Sequence, residues 1–180
     1  MRKILFRGKL TERFADAVGI RPDLVTQGVI KDNFVYGSLV IDNNKCFICT
    51  SVHVSNMSYV NNVNGTMFEV DPETVGQFTG LVDKNGKKIF EGDIIESSAY
   101  MRYVIKYDIE YAMFAKYIVS RPTHFEGRLV NINAMTEVFE IIGDIYNNPE
   151  LLKEASRDII NETVQRCLAP ATKNFELLEG

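Results

Sequence analysis

A mainly β domain followed by a C-terminal α-helix is the fold class that this sequence predicts, and three observations predict it. Short runs that alternate apolar with polar residues recur between Phe34 and Tyr146. Asn, Asp and Gly clusters that favour tight reversals separate those runs. The period lengthens to a helical one only after Asn148.

The first strand is placed at Lys3 to Gly8, and residues 11 to 18 read as a short helix with Thr11 as N-cap. Arg21-Pro22-Asp23 is a turn. Phe34 to Ile41 and Lys45 to Val54, rich in Val, Ile, Tyr and Phe, form a hairpin broken by Asp42-Asn43-Asn44. The Asn- and Ser-rich stretch from Ser55 to Asn64 is a surface loop, followed by a short strand at Thr66 to Val70 and a turn at Asp71-Pro72-Glu73.

Gln77 to Ile95 holds the densest turn chemistry. Asn85-Gly86 is expected to supply the positive φ values of a tight hairpin between Phe78 to Val82 and Lys88 to Phe90, and Gly92 a second reversal into Ile94. Met101, Tyr103, Ile105 and Tyr107 then alternate with Arg102 and Lys106, the pattern of a half-buried strand. Tyr111 to Val119 is apolar on nearly both faces, with Lys116 the clearest exception, which places it centrally in the sheet. Glu137 to Tyr146 puts Phe139, Ile141 and Ile145 on one face and Glu140 and Asp144 on the other. Asn148 as N-cap and Pro149 at the first helical position open a helix with Leu152, Ala155, Ile159, Val164 and Cys167 along one face, ended by Pro170. The domain division that follows is a β domain over residues 1–148 and a C-terminal helix and tail over 149–180.

The chain has 180 residues, enough for one domain to bury a core without disulfides. Its formal net charge of -4 lacks the global cationic field that drives binding to a phosphate backbone. The apolar run after the basic N-terminus is only Ile4 to Phe6, too short for a signal-peptide core, and nothing approaches the roughly 20 apolar residues of a membrane span. A cytoplasmic protein with reduced Cys46, Cys49 and Cys167 is the expectation, with no membrane partner.

Phe6-Arg7-Gly8, the segment Phe34-Val35-Tyr36-Gly37-Ser38-Leu39, the run Gln77 to Ile95, and Ile142 through Leu151 together resemble the YopX family of phage and prophage proteins. The specific part is FTGLVDKNGKKIFEGDII, and the likeness spans most of residues 1 to 152. The resemblance implies a compact, mainly β fold with an SH3-like barrel, encoded in a phage, prophage or related element. It implies no catalytic or ligand-binding residues to carry over. The chain departs from the commoner family pattern around Ala15 to Thr26, in the Asn-rich loop, and in the helix beyond Asn161.

Several constellations have the residue types for chemistry. Cys46-x-x-Cys49 with His53 offers ligand types that zinc accepts, but a structural site needs four ligands and this spacing lies in a predicted strand, where residues three apart face opposite ways. A redox CxxC normally opens a helix, and no nucleophile signature surrounds either cysteine or His124. Glu91, Asp93, Glu137, Glu140 and Asp144 have the chemistry of an acid/base pair; the simpler reading gives Glu91 and Asp93 to turn amides and Glu140 and Asp144 to a solvated strand face. No metal or cofactor is expected.

Lys84, Lys87 and Lys88 around the hairpin tip, with Arg102 and Lys106 on a following strand, are the candidate nucleic-acid-binding residues. Lysines at an exposed turn are also the usual solubilising choice. The leading expectation is therefore a noncatalytic accessory protein that self-associates as a homo-oligomer or meets a phage or host protein. Nucleic-acid binding through the lysine hairpin is the alternative, and a hydrolase or thiol enzyme a third.

Overall fold

Asn43 and Asn44 adopt φ of 47° and 62°, the left-handed pair that a two-residue hairpin turn demands and that asparagine tolerates better than most residues. They join β3 (Phe34–Asp42) to β4 (Lys45–Thr50) with Asp42 opposite Lys45. The computed structural model describes residues 4–18, 25, 29–50, 66–98, 100–120, 130–131 and 139–152. The chain divides into two compact units, with the boundary between Gln77 and Phe78.

In the first unit, β1 (Phe6–Lys9) pairs antiparallel with the start of β3, which also pairs with β2 (Ile30–Lys31). The later part of β3 pairs with β4, and β4 with β5 (Thr66–Val70). The first residues of β6 (Gly76–Val82) pair with β1. Alternation along β4 and β5 sends Cys46, Ile48, Phe68 and Val70 into one cluster with Val29, Ile30 and Val35. The helix α1 (Glu12–Val18) closes over it, Phe14 meeting Phe68 edge to face at 5.9 Å. Thr11 caps that helix as expected, its Oγ1 accepting the Phe14 N–H at 3.2 Å.

In the second unit, β7 (Lys88–Phe90) pairs with β6, while β8 (Asp93–Ser97), β9 (Arg102–Asp108), β10 (Met113–Ser120), β11 (Val130–Asn131) and β12 (Phe139–Asp144) form an antiparallel sheet in the order β11-β10-β9-β8-β12. One face carries Ile89, Ile95, Tyr103, Ile105, Phe114, Ile118 and Phe139. The other carries Ile94, Val104, Val119, Ile145 and Leu152, the last of these supplied by a 3-10 turn at Pro149–Leu152.

The mainly β expectation holds. The strand order of the second unit is open, with no closed barrel among the described residues. Where the C-terminal α-helix is expected, Pro149–Leu152 form a 3-10 turn and no α-helix occurs there among the described residues; 153 to 170 lies outside them, as do Val54, the Asn-rich loop, the turn at Arg21-Pro22-Asp23, His53, His124 and Cys167.

Three local expectations change. Only Gly86 (φ 78°) of the Asn85-Gly86 pair is left-handed, because Asp83 N donates to the Lys87 carbonyl at 2.8 Å and Gly86 N to the Asp83 carbonyl at 2.9 Å, a longer loop than a two-residue turn. Tyr111 and Ala112 belong to the turn before β10, with Ala112 at φ 48°. Asp144 is buried rather than solvated, because a register shift between Ile141 and Gly143 interrupts the alternation of β12.

Candidate functional site

Cross-strand register decides which charges meet. Glu140 on β12 lies opposite Glu96 on β8, and Glu96 lies opposite Arg102 on β9. The Arg102 Nε donates to Glu96 Oε2 at 3.0 Å, and one of its terminal nitrogens donates to the Leu151 carbonyl at 3.3 Å. At the other end of the row, Lys84 Nζ reaches Glu140 Oε2 at 2.6 Å, and Asn85 Nδ2 donates to Glu140 Oε1 at 3.3 Å. The hydrogen bond that the Lys84 ammonium donates to Glu140 raises the lysine's pKa above its ordinary value. Four charges, Lys84 and Arg102 flanking Glu140 and Glu96, thus run across the β6–β7 turn and three strands.

The five predicted cations therefore do not form a single patch. Lys84 and Arg102 are the two ends of this carboxylate-bridged row. Lys87 and Lys88 stand exposed beside Gly86. Lys106 is half-buried, four residues along β9 from Arg102, about 13 Å at strand rise.

The buried carboxylates among the described residues, Asp83, Asp93 and Asp144, all accept from turn amides. Asp83 Oδ1 takes the N–H groups of Asn85 and Lys87, both at 2.9 Å, and its Oδ2 takes that of Ile141 at 3.2 Å. Asp93 Oδ2 accepts from Phe90 N at 2.8 Å, beside the reversal at Gly92 (φ 82°). Asp144 Oδ1 accepts from Tyr146 N and Asn147 N, and its Oδ2 from Asn147 Nδ2. Glu91, expected on a turn amide, instead accepts from a strand amide, that of Tyr107 in β9, at 2.9 Å. Such carboxylates fix loop geometry.

Cys46 and Cys49 take opposite faces of β4, one buried and one half-buried, both as thiols. Burial, and then the charge of Asp71, push the Cys46 thiol up, away from the thiolate that nucleophilic or redox chemistry needs. Among the described residues, no group of three or more His, Cys, Asp or Glu could hold a metal ion, and no helix is long and apolar enough to cross a membrane.

Two features escaped the sequence reading. Lys116 is buried, its Nζ 4.3 Å from the Phe139 ring centroid and 5.4 Å from that of Tyr103, and desolvation lowers its pKa. The turn from β9 to β10 presents Ile109 and Tyr111 at 61% and 60% exposure. Asp108 Oδ1 fixes it by accepting from Tyr111 N at 3.1 Å, and Asp108 Oδ2 accepts from the Tyr117 hydroxyl at 2.5 Å. Their periodicity places Ile109 and Tyr111 in an apolar run, so only the turn geometry reveals that they face water.

A mainly β protein of antiparallel sheets, its buried carboxylates committed to turns, is the class that fold and site define. The family model described as YopX protein matches residues 26–153, and the chain belongs to the YopX family. Among solved structures it is similar to the crystal structure of protein EF1440 from Enterococcus faecalis, at 18% sequence identity and a TM-score of 0.43, with 84% of this chain and 99% of that one covered. No curated protein matches.

Proposed function

We infer that this chain is a noncatalytic interaction module of phage or prophage origin that acts in the cytoplasm and associates with copies of itself. The observation that carries the reading is the β9–β10 turn, where Ile109 and Tyr111 are held out from the sheet by hydrogen bonds to Asp108 rather than folded back onto it. Large apolar side chains fixed in water mark contact surfaces more often than chemistry. The assignment of the buried carboxylates to turn amides supports a scaffold role for residues that otherwise have acid/base chemistry.

The finer architecture belongs to the same reading. The sheet of the second unit curls toward an SH3-like barrel, a curvature supported by the register shifts in β10 and β12, and by the Lys84 N–H donating to the Phe139 carbonyl at 2.9 Å. The division of this reading is a β domain over 1–148 and a C-terminal helix and tail over 149–180, of which the 3-10 turn at Pro149–Leu152 is the described part. Sedimentation equilibrium of the full chain over a hundredfold concentration range tests the reading. Mass that rises with concentration is expected, and a strict monomer at the highest concentration overturns it.

A second reading, nucleic-acid binding, is favoured by the exposure of Lys87 and Lys88 at a backbone-fixed turn. Lys84 and Arg102 join that surface only where polyanion competes with Glu140 and Glu96, and Lys106 only where the polyanion also spans the length of β9 from Arg102. Binding to single- or double-stranded probes at low salt that falls steeply as salt rises supports it. Equal and undetectable binding by wild type and by a Lys84→Glu, Lys87→Glu, Lys88→Glu variant removes it.

A further inference from the structure

The sheet of the second unit has two ends of opposite character. Register places Glu140, Glu96 and Arg102 at one end, with Lys84 bridged to Glu140. Among the described residues, this end gathers Lys84, Lys87, Lys88 and Arg102 with Asp83, Glu96, Glu140 and Glu150, the last beside Leu151, which Arg102 reaches; Lys84 and Arg102 are bridged to Glu140 and Glu96, so the exposed cations outside those bridges are Lys87 and Lys88. It also presents Tyr100 at 77% exposure, on the turn closed by Ser97 N donating to the Met101 carbonyl.

Six residues along β9, about 20 Å away at strand rise, the other end has, among the described residues, Glu91, Asp108 and Glu110 beside Lys106. Its exposed apolar residues are Ile109 and Tyr111. One end thus sets the exposed Lys87 and Lys88 beside Tyr100, and the other sets the exposed Glu110 between Ile109 and Tyr111. Two such ends are complementary to each other, and neither is complementary to itself.

We propose that the β9–β10 turn of one copy, through Ile109, Glu110 and Tyr111, docks on the Lys87, Lys88 and Tyr100 end of a second copy, giving a head-to-tail contact. This rests on the self-association inferred above and specifies its surfaces. Unlike charge at each end disfavours the two-fold alternative, in which turn meets turn and carboxylate faces carboxylate. Raised salt weakens the contact, because its charges lie at the solvent boundary.

The test uses two full-length variants, one with a spoiled turn (Ile109→Asp with Tyr111→Asp) and one with a spoiled basic end (Lys87→Glu with Lys88→Glu). The affected side chains are exposed, and thermal melts verify folding; Ile109→Asp alone replaces the first variant should the pair melt early. In sedimentation equilibrium, each variant alone is expected to associate at least about tenfold more weakly than wild type. An equimolar mixture is expected to recover association and stop at one copy of each, since one intact turn meets one intact basic end. Variants that associate like wild type, or a mixture that recovers nothing, overturn this contact while leaving self-association standing. A wild type that stays monomeric removes both.

Discussion

Asp83 Oδ2 accepts the backbone N–H of Ile141 at 3.2 Å, across 58 residues of chain. The same carboxylate holds its own loop through Asn85 N and Lys87 N. One buried side chain therefore shapes the β6–β7 turn and fixes it to the outer edge of β12. That edge would otherwise present unpaired amides, a template for unwanted pairing.

Asp83→Ala leaves three amide donors without this acceptor, and the loss of charge-assisted bonds in a buried site costs about 2–4 kcal/mol. Asp83→Asn keeps an oxygen for the loop amides but turns an N–H₂ toward Ile141 N, so its cost is smaller, about 1–2 kcal/mol. Urea denaturation of the two variants beside wild type measures both. Equal stability of Asp83→Ala and wild type would show that the carboxylate does not join turn to edge.

Gly37 sits where β3 is crossed most closely. A Cβ built there collides with the Cys49 carbonyl oxygen and lies 2.9 Å from Ile48 Cγ2, and a backbone atom within a paired strand cannot yield as a flexible side chain does. Gly37→Ala is expected to destabilise the first unit by about 3 kcal/mol or more. Gly86 has open space around it, so Gly86→Ala meets only the left-handed backbone cost of about 1–2 kcal/mol. Chemical denaturation of the pair checks the order, which reverses if backbone conformation outweighs collision.

Much of this architecture was legible because its signals are local. Asn43-Asn44, Thr11 and Gly92 each act within a few residues and stand as read, and Met101 to Tyr107 marks a strand, although Val104 is buried on its second face and Tyr107 is exposed. Asp144 was misread because a register shift at Ile141 and Gly143 breaks the period on which its exposure was judged. The carboxylates that bridge two of the candidate cations are hidden from the sequence for a different reason: the Lys84 contact with Glu140 joins residues distant in sequence, and only sheet register brings Glu140, Glu96 and Arg102 into line.

Lys116 should leave a signature in alkaline stability. Desolvation lowers its folded pKa below the ordinary 10.5, so between those two values the unfolded chain binds more protons at this site than the folded one. Stability from Lys116 therefore rises with pH through that window, and the penalty of burying the ammonium is full below it. Measured against Lys116→Met, wild type should gain stability as pH climbs from neutral toward 10. A stability difference that stays constant over that range would mean the lysine titrates alike in both states.

Glu96 and Glu140 restrain the cations of their row, and removing their charge should release them. Glu96→Gln with Glu140→Gln takes the formal net charge from -4 to -2 and frees Lys84 and Arg102 beside the exposed Lys87 and Lys88. Retention on a heparin column should then extend to higher salt than for wild type, since each added phosphate-like contact steepens the salt dependence by up to about 0.9 in log-log slope. Net charge alone would also lengthen retention. Asp16→Asn with Asp42→Asn, at exposed positions in the first unit, makes the same change in total charge without releasing either cation. The row variant must therefore exceed this control. Equal elution of the two would mean that Glu96 and Glu140 act only through total charge, and that the lysine turn gains nothing from their removal.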